Sequence, residues 1–182
     1  MHYFGTLVPK GDYMAWQTTQ ENINVTYKND FDLTVKFRKL FPEAVTPQYA
    51  QDGDAGMDLT ATSVRVTDTF IEYGTGIAVE IPHGHVGLLF PRSSITKLPA
   101  GVSLKNSVGV IDSNYRGEIL ARFELPYTWN KILDDVIREM PLEGDKIAQL
   151  IIIPYPKVHL EEVQELSDSN RGNGGFGSTD KK

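Results

Sequence analysis

Five short segments of this chain set polar or charged side chains beside glycines and strand-like runs, and these are where chemistry could sit. The most informative is NSVGVIDSNYRGE, residues 106–118. Apolar Val108, Val110 and Ile111 lead into Asp112, a hairpin turn is expected at Ser113-Asn114, and Tyr115 opens a return strand. A carboxylate at a strand end, held in a pocket, can accept a proton from water and direct the hydroxide at phosphorus. The Tyr115 ring can press on a flat or apolar ligand surface. By itself, however, Asp112 is also what a hairpin uses to satisfy its own turn backbone.

Groups able to hold an anion lie elsewhere in the chain. In FPRSSITK (90–97) a strand ending at Pro91 presents Arg92, Ser93, Ser94 and Lys97 together. The guanidinium is a forked donor and the hydroxyls are short ones, a set that suits phosphate oxygens. A solvated loop with capping serines fits that segment equally well. In DAGMDLTA (54–61) Gly56 permits a backbone conformation closed to other residues, and Asp58 stands where a strand begins. In GDKIAQLII (144–152) Gln149 is a lone amide in an apolar run and needs a partner, either backbone across a sheet or a site water. The tail SNRGNGGFGSTDKK (169–182) is a disordered tail by composition. It is also a glycine-rich strap in which Arg171, Ser178 and Thr179 flank Phe176, able to pair a phosphate and stack a base.

The elements that must position these groups read as strands. Leu33, Val35 and Phe37 alternate with polar neighbours, as do Ile77, Val79 and Ile81, then Val86, Leu88 and Phe90 after the turn Pro82-His83-Gly84-His85. Ile119, Ala121 and Phe123 give another strand, and residues 147–153 read as a strand buried on both faces. Short strands between Gly, Pro, Asn and Asp clusters predict an all-β sandwich or barrel. One stretch departs from this. Ile132, Leu133, Val136, Ile137 and Met140 fall on one helical face, with Asn130 at the start and Pro141 at the end, so a short helix is expected over 128–140. Its apolar face would cover one end of the sandwich. The expected organisation is an extension over 1–30, a β domain over 31–168 with an insert at about 124–143, and the tail from 169.

Composition narrows the function classes. With 182 residues the chain suits one domain with modest additions, and a net charge of −6 gives no global attraction to nucleic acid or anionic membranes. Positive charge for a polyphosphate must therefore be gathered locally. There is no cysteine, which excludes disulfides, thiolate metal sites and a cysteine nucleophile. His83 and His85, one residue apart with no carboxylate nearby, read as a turn between strands rather than a zinc site. The first ten residues hold no signal-peptide core, and the apolar run 150–153 is far too short to span a bilayer, so a cytoplasmic protein, or one of a host cytoplasm if viral, is expected.

Taken in order, AGMDL, PRSS, GVIDSNYRGE, GDKIAQLI and RGNGGFGST resemble the five motifs of the homotrimeric dUTP pyrophosphatase (dUTPase) family, over roughly residues 33–180. The resemblance implies a distorted jelly-roll subunit and a homotrimer with three sites between subunits, which hydrolyses dUTP to dUMP and pyrophosphate. It implies Mg2+ held mainly by the triphosphate and no direct protein ligand. Asp112 would orient the water that attacks the α-phosphorus, with Gln149 near that water. Tyr115 would pack under the deoxyribose and exclude a 2′-hydroxyl. Asn106 and backbone groups around Val110 and Ile111 would read the uracil edge. Arg92, Ser93 and Ser94 would bind phosphates, and Arg171, Phe176, Gly177, Ser178 and Thr179 would come from the closing tail. Asp58 would support the site's shape. The sequence departs from the family pattern in Leu98-Pro99-Ala100-Gly101 after Lys97, in Asp180 after the Ser/Thr pair, and in the helix-bearing insert.

Two other functions are weighed against this one. A deoxycytidine-triphosphate deaminase has a similar fold, but it needs an acid/base group at the base ring, and no carboxylate is placed for that. A regulatory module would use the 128–140 helix as a surface for a protein partner.

Overall fold

In a computed structural model of the chain, the described residues are 6–10, 13–17, 33–67, 69–98, 101–125 and 138–174. The chain divides into two compact units, Met1–Thr34 and Val35–Lys182. The first carries an antiparallel pair, β1 (Thr6–Lys10) and β2 (Tyr13–Gln17), in a stretch whose mixed composition gives little periodic signal.

The second unit is built from antiparallel strands of two to nine residues, as its frequent turn residues require. They are β3 (Lys36–Lys39), β4 (Met57–Thr60), β5 (Ser63–Val66), β6 (Phe70–Gly74), β7 (Ile77–Glu80), β8 (His85–Pro91), β9 (Ser103–Leu104), β10 (Gly109–Ile111), β11 (Leu120–Glu124) and β12 (Lys146–Pro154). One four-stranded sheet runs β10-β8-β12-β4, another runs β5-β6-β11-β9, and β3 pairs with β7 as a ribbon. A single core gathers Leu59, Leu89, Ile111 and Leu150 from the first sheet and Ile71, Tyr73, Ala121 and Phe123 from the second. That is the sandwich expected from the short strands, in the distorted jelly-roll form that the family resemblance implies. Tyr73 and Phe123 meet edge to face, with ring centroids 5.8 Å apart. The buried Tyr73 hydroxyl donates to the Pro141 carbonyl at 3.0 Å, and burial raises its pKa.

Register explains the polar row on the second sheet. Arg65 lies opposite Glu72, and Glu72 lies opposite Arg122. Both guanidiniums pair with the Glu72 carboxylate and lie over the Phe70 ring, at 5.3 and 5.2 Å from its centroid. Burial raises the Glu72 pKa, but the two arginines outweigh it and hold the carboxyl below its ordinary value.

Several expected elements differ in the structure. The first strand begins at Lys36, and Phe37 is 48% exposed, because β3 is an edge strand with every residue on the surface; Val35, just before it, packs on the core. In β8 the core-facing residues are Gly87 and Leu89, whereas Val86, Leu88 and Phe90 lie half-buried on the outer face of the sheet. Here the apolar alternation marks a second apolar face, not the core. Strand β12 is closed on both sides only over its first half, and Ile153 and Pro154 are exposed. The turn after Asp112 exists, with the Tyr115 N–H donating to the Asp112 carbonyl at 3.0 Å, but it closes no hairpin. Strand β10 pairs with β8, and β11 pairs with β6 and β9, so the chain crosses from one sheet to the other there. Of the helix expected over 128–140, Arg138 and Glu139 are helical and Met140 is buried, while Ile132, Leu133, Val136 and Ile137 lie outside the described residues.

Candidate active site

Where β10 ends, a cleft of about 200 Å³ opens, lined by Asn106, Val110, Ile111, Asp112 and Tyr115 together with Leu89, Glu118 and Leu120. One segment of chain thus gathers all five residues that sequence reasoning assigned to it. Their positions follow from local chemistry. Arg116 Nη1 donates to the carbonyls of Ser113 at 2.7 Å and Tyr115 at 2.8 Å, tying the loop after Asp112 to itself. The Tyr115 hydroxyl donates to the Glu118 carbonyl at 2.9 Å. Its ring lies so close over Gly117 that a Cβ there would stand 2.6 Å from Cζ. Only glycine lets the ring lie flat at that point. Glu118 accepts from the Gly76 N–H at 2.7 Å and anchors the far end of the loop. Ser107 takes a left-handed backbone, φ 58, which turns the chain sharply beside Asn106. The Asp112 carboxylate is exposed, and among the described residues no donor meets it. It is not the self-satisfied turn aspartate of the simpler reading.

The cations lie in a second cleft of about 600 Å³, lined by Arg92, Ser94, Lys97, Asp145 and Lys146 among others. Arg92 precedes a 3-10 turn, Ser93–Lys97, on which Ser93 and Ser94 are exposed. Arg92 Nε donates to Asp58 Oδ1 at 2.7 Å, and Lys146 Nζ forms an ion pair with Oδ2 at 2.8 Å. Burial raises the Asp58 pKa, yet Lys146 and Arg92 more than offset it and hold the carboxyl below its ordinary value. Gln149 lies opposite both Asp58 and Phe90, and its Nε2 donates to the Pro91 carbonyl at 3.0 Å, fixing the strand end from which Arg92 springs. Gly56 is required for a different reason from the one its sequence suggests. Its backbone is not left-handed; instead a Cβ there would stand 2.5 Å from Gln149 Oε1.

Among the described residues the two clefts share no lining residue. A single chain therefore does not bring Asp112 and Tyr115 together with Arg92 and Ser94. Arg171 sits apart in an exposed turn, its Nε donating to the Gly174 carbonyl at 2.8 Å. Phe176, Gly177, Ser178 and Thr179 lie outside the described residues. Sequence reasoning missed Lys146 as the second cation on Asp58, and Glu118 as a lining residue. Both stand inside the segments it quoted, but nothing in their spacing showed that they face the site.

Asp58 is paired with two cations, Asp112 is an oxygen donor still open to a hard cation such as Mg2+, and among the described residues no three His, Asp or Glu side chains converge into a metal cage. No helix among the described residues is long and apolar enough to cross a membrane.

Known proteins similar to this chain are dUTPases. The dUTPase family model matches residues 42–180. The deoxyuridine 5'-triphosphate nucleotidohydrolase of Clostridium tetani is 41% identical over 157 residues, which cover 82% of this chain and 99% of that one. The dUTPase of Staphylococcus bacteriophage 80alpha, solved with dUPNHPP, superposes with a TM-score of 0.67 at 27% identity, covering 80% of this chain and 97% of that one. A point mutant of the dUTPase of phage phi11 of S. aureus, described with a structural Mg(II) ion, gives a TM-score of 0.58 at 28% identity over 73% of this chain and 98% of that one. The family model and the relative at 41% identity both run along most of the chain, which therefore belongs to the dUTPase family.

Proposed function

We propose that the chain hydrolyses dUTP to dUMP and pyrophosphate, limiting uracil in DNA and supplying dUMP, with Asp112 activating the water that attacks the α-phosphorus. The observation that carries this reading is the Asp112 carboxylate, free of any donor among the described residues, in the same cleft as Tyr115 and Asn106. The exposed carboxylate is open to a water, which bound substrate would set in line with the α-phosphorus. The Tyr115 ring would underlie the deoxyribose, leaving no room for a 2′-hydroxyl. Asn106 and the backbone of Val110 and Ile111 would pair with the uracil edge, where a wrong base leaves buried groups unpaired. Arg92, Ser93 and Ser94 would hold phosphate oxygens, and Gln149, which holds the strand end at Pro91, would keep these donors in place next to the attacking water. Arg171, Phe176, Gly177, Ser178 and Thr179 would close over the substrate. When bound, Mg2+ would neutralise the phosphates it arrives with.

Because the two clefts share no described residue in one subunit, we read the site as completed between copies in a homotrimer. The outer sheet face supports this. Leu88, Val110 and Ile151 lie side by side there in register, and Val110 is 65% exposed in the single chain. The enzyme would act in the cytoplasm, or in a host's if it is viral.

The test is pyrophosphate release from dUTP, UTP, dTTP and dCTP, each with and without Mg2+. Selective release from dUTP is expected, and ammonia release from dCTP without pyrophosphate would instead indicate a deaminase. Asp112→Asn should still bind a non-hydrolysable dUTP analogue while losing turnover by about 10²–10⁴-fold. Near-normal turnover in that variant would remove Asp112 from the mechanism.

A further inference from the structure

Strand β12 contains an irregularity that decides which side chains reach Asp58. Two strand residues three apart ordinarily point to opposite faces. Between Lys146 and Ala148 the register against β4 shifts, so that Lys146 lies opposite Thr60 while Gln149 lies opposite Asp58. Thr60 and Asp58, two apart on β4, share a face, and therefore Lys146 and Gln149 share it as well. The bulge is also visible in burial, since the consecutive residues Ile147 and Ala148 are 4% and 0% exposed. As a result Lys146 Nζ reaches Asp58 Oδ2 at 2.8 Å, beside the 2.7 Å bond from Arg92 Nε to Oδ1.

This division of one carboxylate between two cations matters for Arg92. A carboxylate facing a guanidinium alone tends to take two parallel N–H bonds, which would occupy Nε and a terminal nitrogen. Here the second oxygen faces the Lys146 ammonium at 2.8 Å, an ion pair rather than an aligned hydrogen bond. Arg92 gives Asp58 only its Nε, and among the described residues no acceptor meets its terminal nitrogens, in a cleft it shares with Ser94 and Lys146.

We propose that Lys146 is a positioning residue for the reaction: by holding Asp58 Oδ2 it keeps that carboxylate to a single bond with Arg92, leaving both terminal guanidinium nitrogens for oxygens of the nucleotide's polyphosphate. Lys146 acts through Asp58 and does not touch the substrate. The inference rests on the reading of Arg92 as a phosphate donor and adds a cause for its orientation. Lys146 is 49% exposed, so its removal leaves the core intact.

The experiment is steady-state pyrophosphate release from dUTP with Mg2+, by the full chain and its variants. Lys146→Met should raise KM about tenfold, the worth of one charge-assisted bond lost to the substrate, with kcat within about twofold of wild type. Lys146→Arg should restore KM, since it can donate to the same oxygen. In an Asp58→Asn background Lys146→Met should have no further effect on KM. An unchanged KM in Lys146→Met, even with a lowered melting temperature, would make Lys146 a structural residue and overturn the proposal. So would failure of the arginine to rescue, or an equal rise in KM in the Asp58→Asn background, which would place the lysine on the substrate itself. Arg92→Gln separates the two levels. If it leaves KM unchanged, the phosphate reading of Arg92 falls and this inference with it; if it raises KM while Lys146→Met is silent, only the role of Lys146 falls.

Discussion

Asp58 shows how a half-hidden carboxylate can be held charged. Its side chain is 12% exposed, and burial alone would raise its pKa, yet Lys146 and Arg92 bring it below the ordinary 3.8. A group whose folded pKa is depressed adds stability above its unfolded pKa, and that contribution disappears as pH falls through the folded value. Lysine and arginine side chains stay charged throughout that acidic window. Asp58→Asn should therefore lower the urea midpoint at pH 7, and the gap to wild type should close as the pH drops below 3.8. A gap that does not narrow as the pH falls towards about 2 would contradict the ion-pair account. The pairing itself was not legible in the sequence. Asp58 and Arg92 stand 34 residues apart, and each drew notice only through its own short segment. Asn106, Asp112 and Tyr115 were legible together because one short stretch of chain, the ends of β10 and their flanking loops, carries all three.

At the scale of elements, period-two alternation located the strands better than it located their sides. For Ile77, Val79 and Ile81, and for Ile119, Ala121 and Phe123, the apolar face is the buried one. In β8 both faces are apolar, so alternation had no contrast to read, and the inward side fell to Gly87 and Leu89. The turn after Asp112 was visible in its residue types, but its topology was not, because a turn's sequence does not state which sheet the next strand joins. Glycine was likewise legible as a requirement but not as a cause. Gly56 serves close approach: a Cβ would stand 2.5 Å from Gln149 Oε1. Gly56→Ala should push the amide off the Pro91 carbonyl, destabilise the fold by about 1–3 kcal/mol and slow turnover. Urea unfolding and pyrophosphate release measure the two effects. Truncating the partner, as in Gly56→Ala with Gln149→Ala, should recover part of the stability and none of the turnover.

At the scale of the whole molecule, the outer face of the sheet β10-β8-β12-β4 carries two kinds of surface. Leu88, Val110 and Ile151 form an apolar middle, and Asp58, Gln149 and Lys146 a polar end. Ile151→Glu should leave the sandwich folded by circular dichroism, because the core lies on the other face, while shifting sedimentation from trimer to monomer and abolishing turnover. An active monomer would sink the reading of a shared site. The apolar face also bears on cell physiology. If the site is shared as proposed, a newly made subunit, with Asp112 and Arg92 lining separate clefts, would stay silent until it met its copies. Output per molecule would then climb steeply with abundance, and a weakly expressed gene would guard the nucleotide pool less well than its protein count suggests.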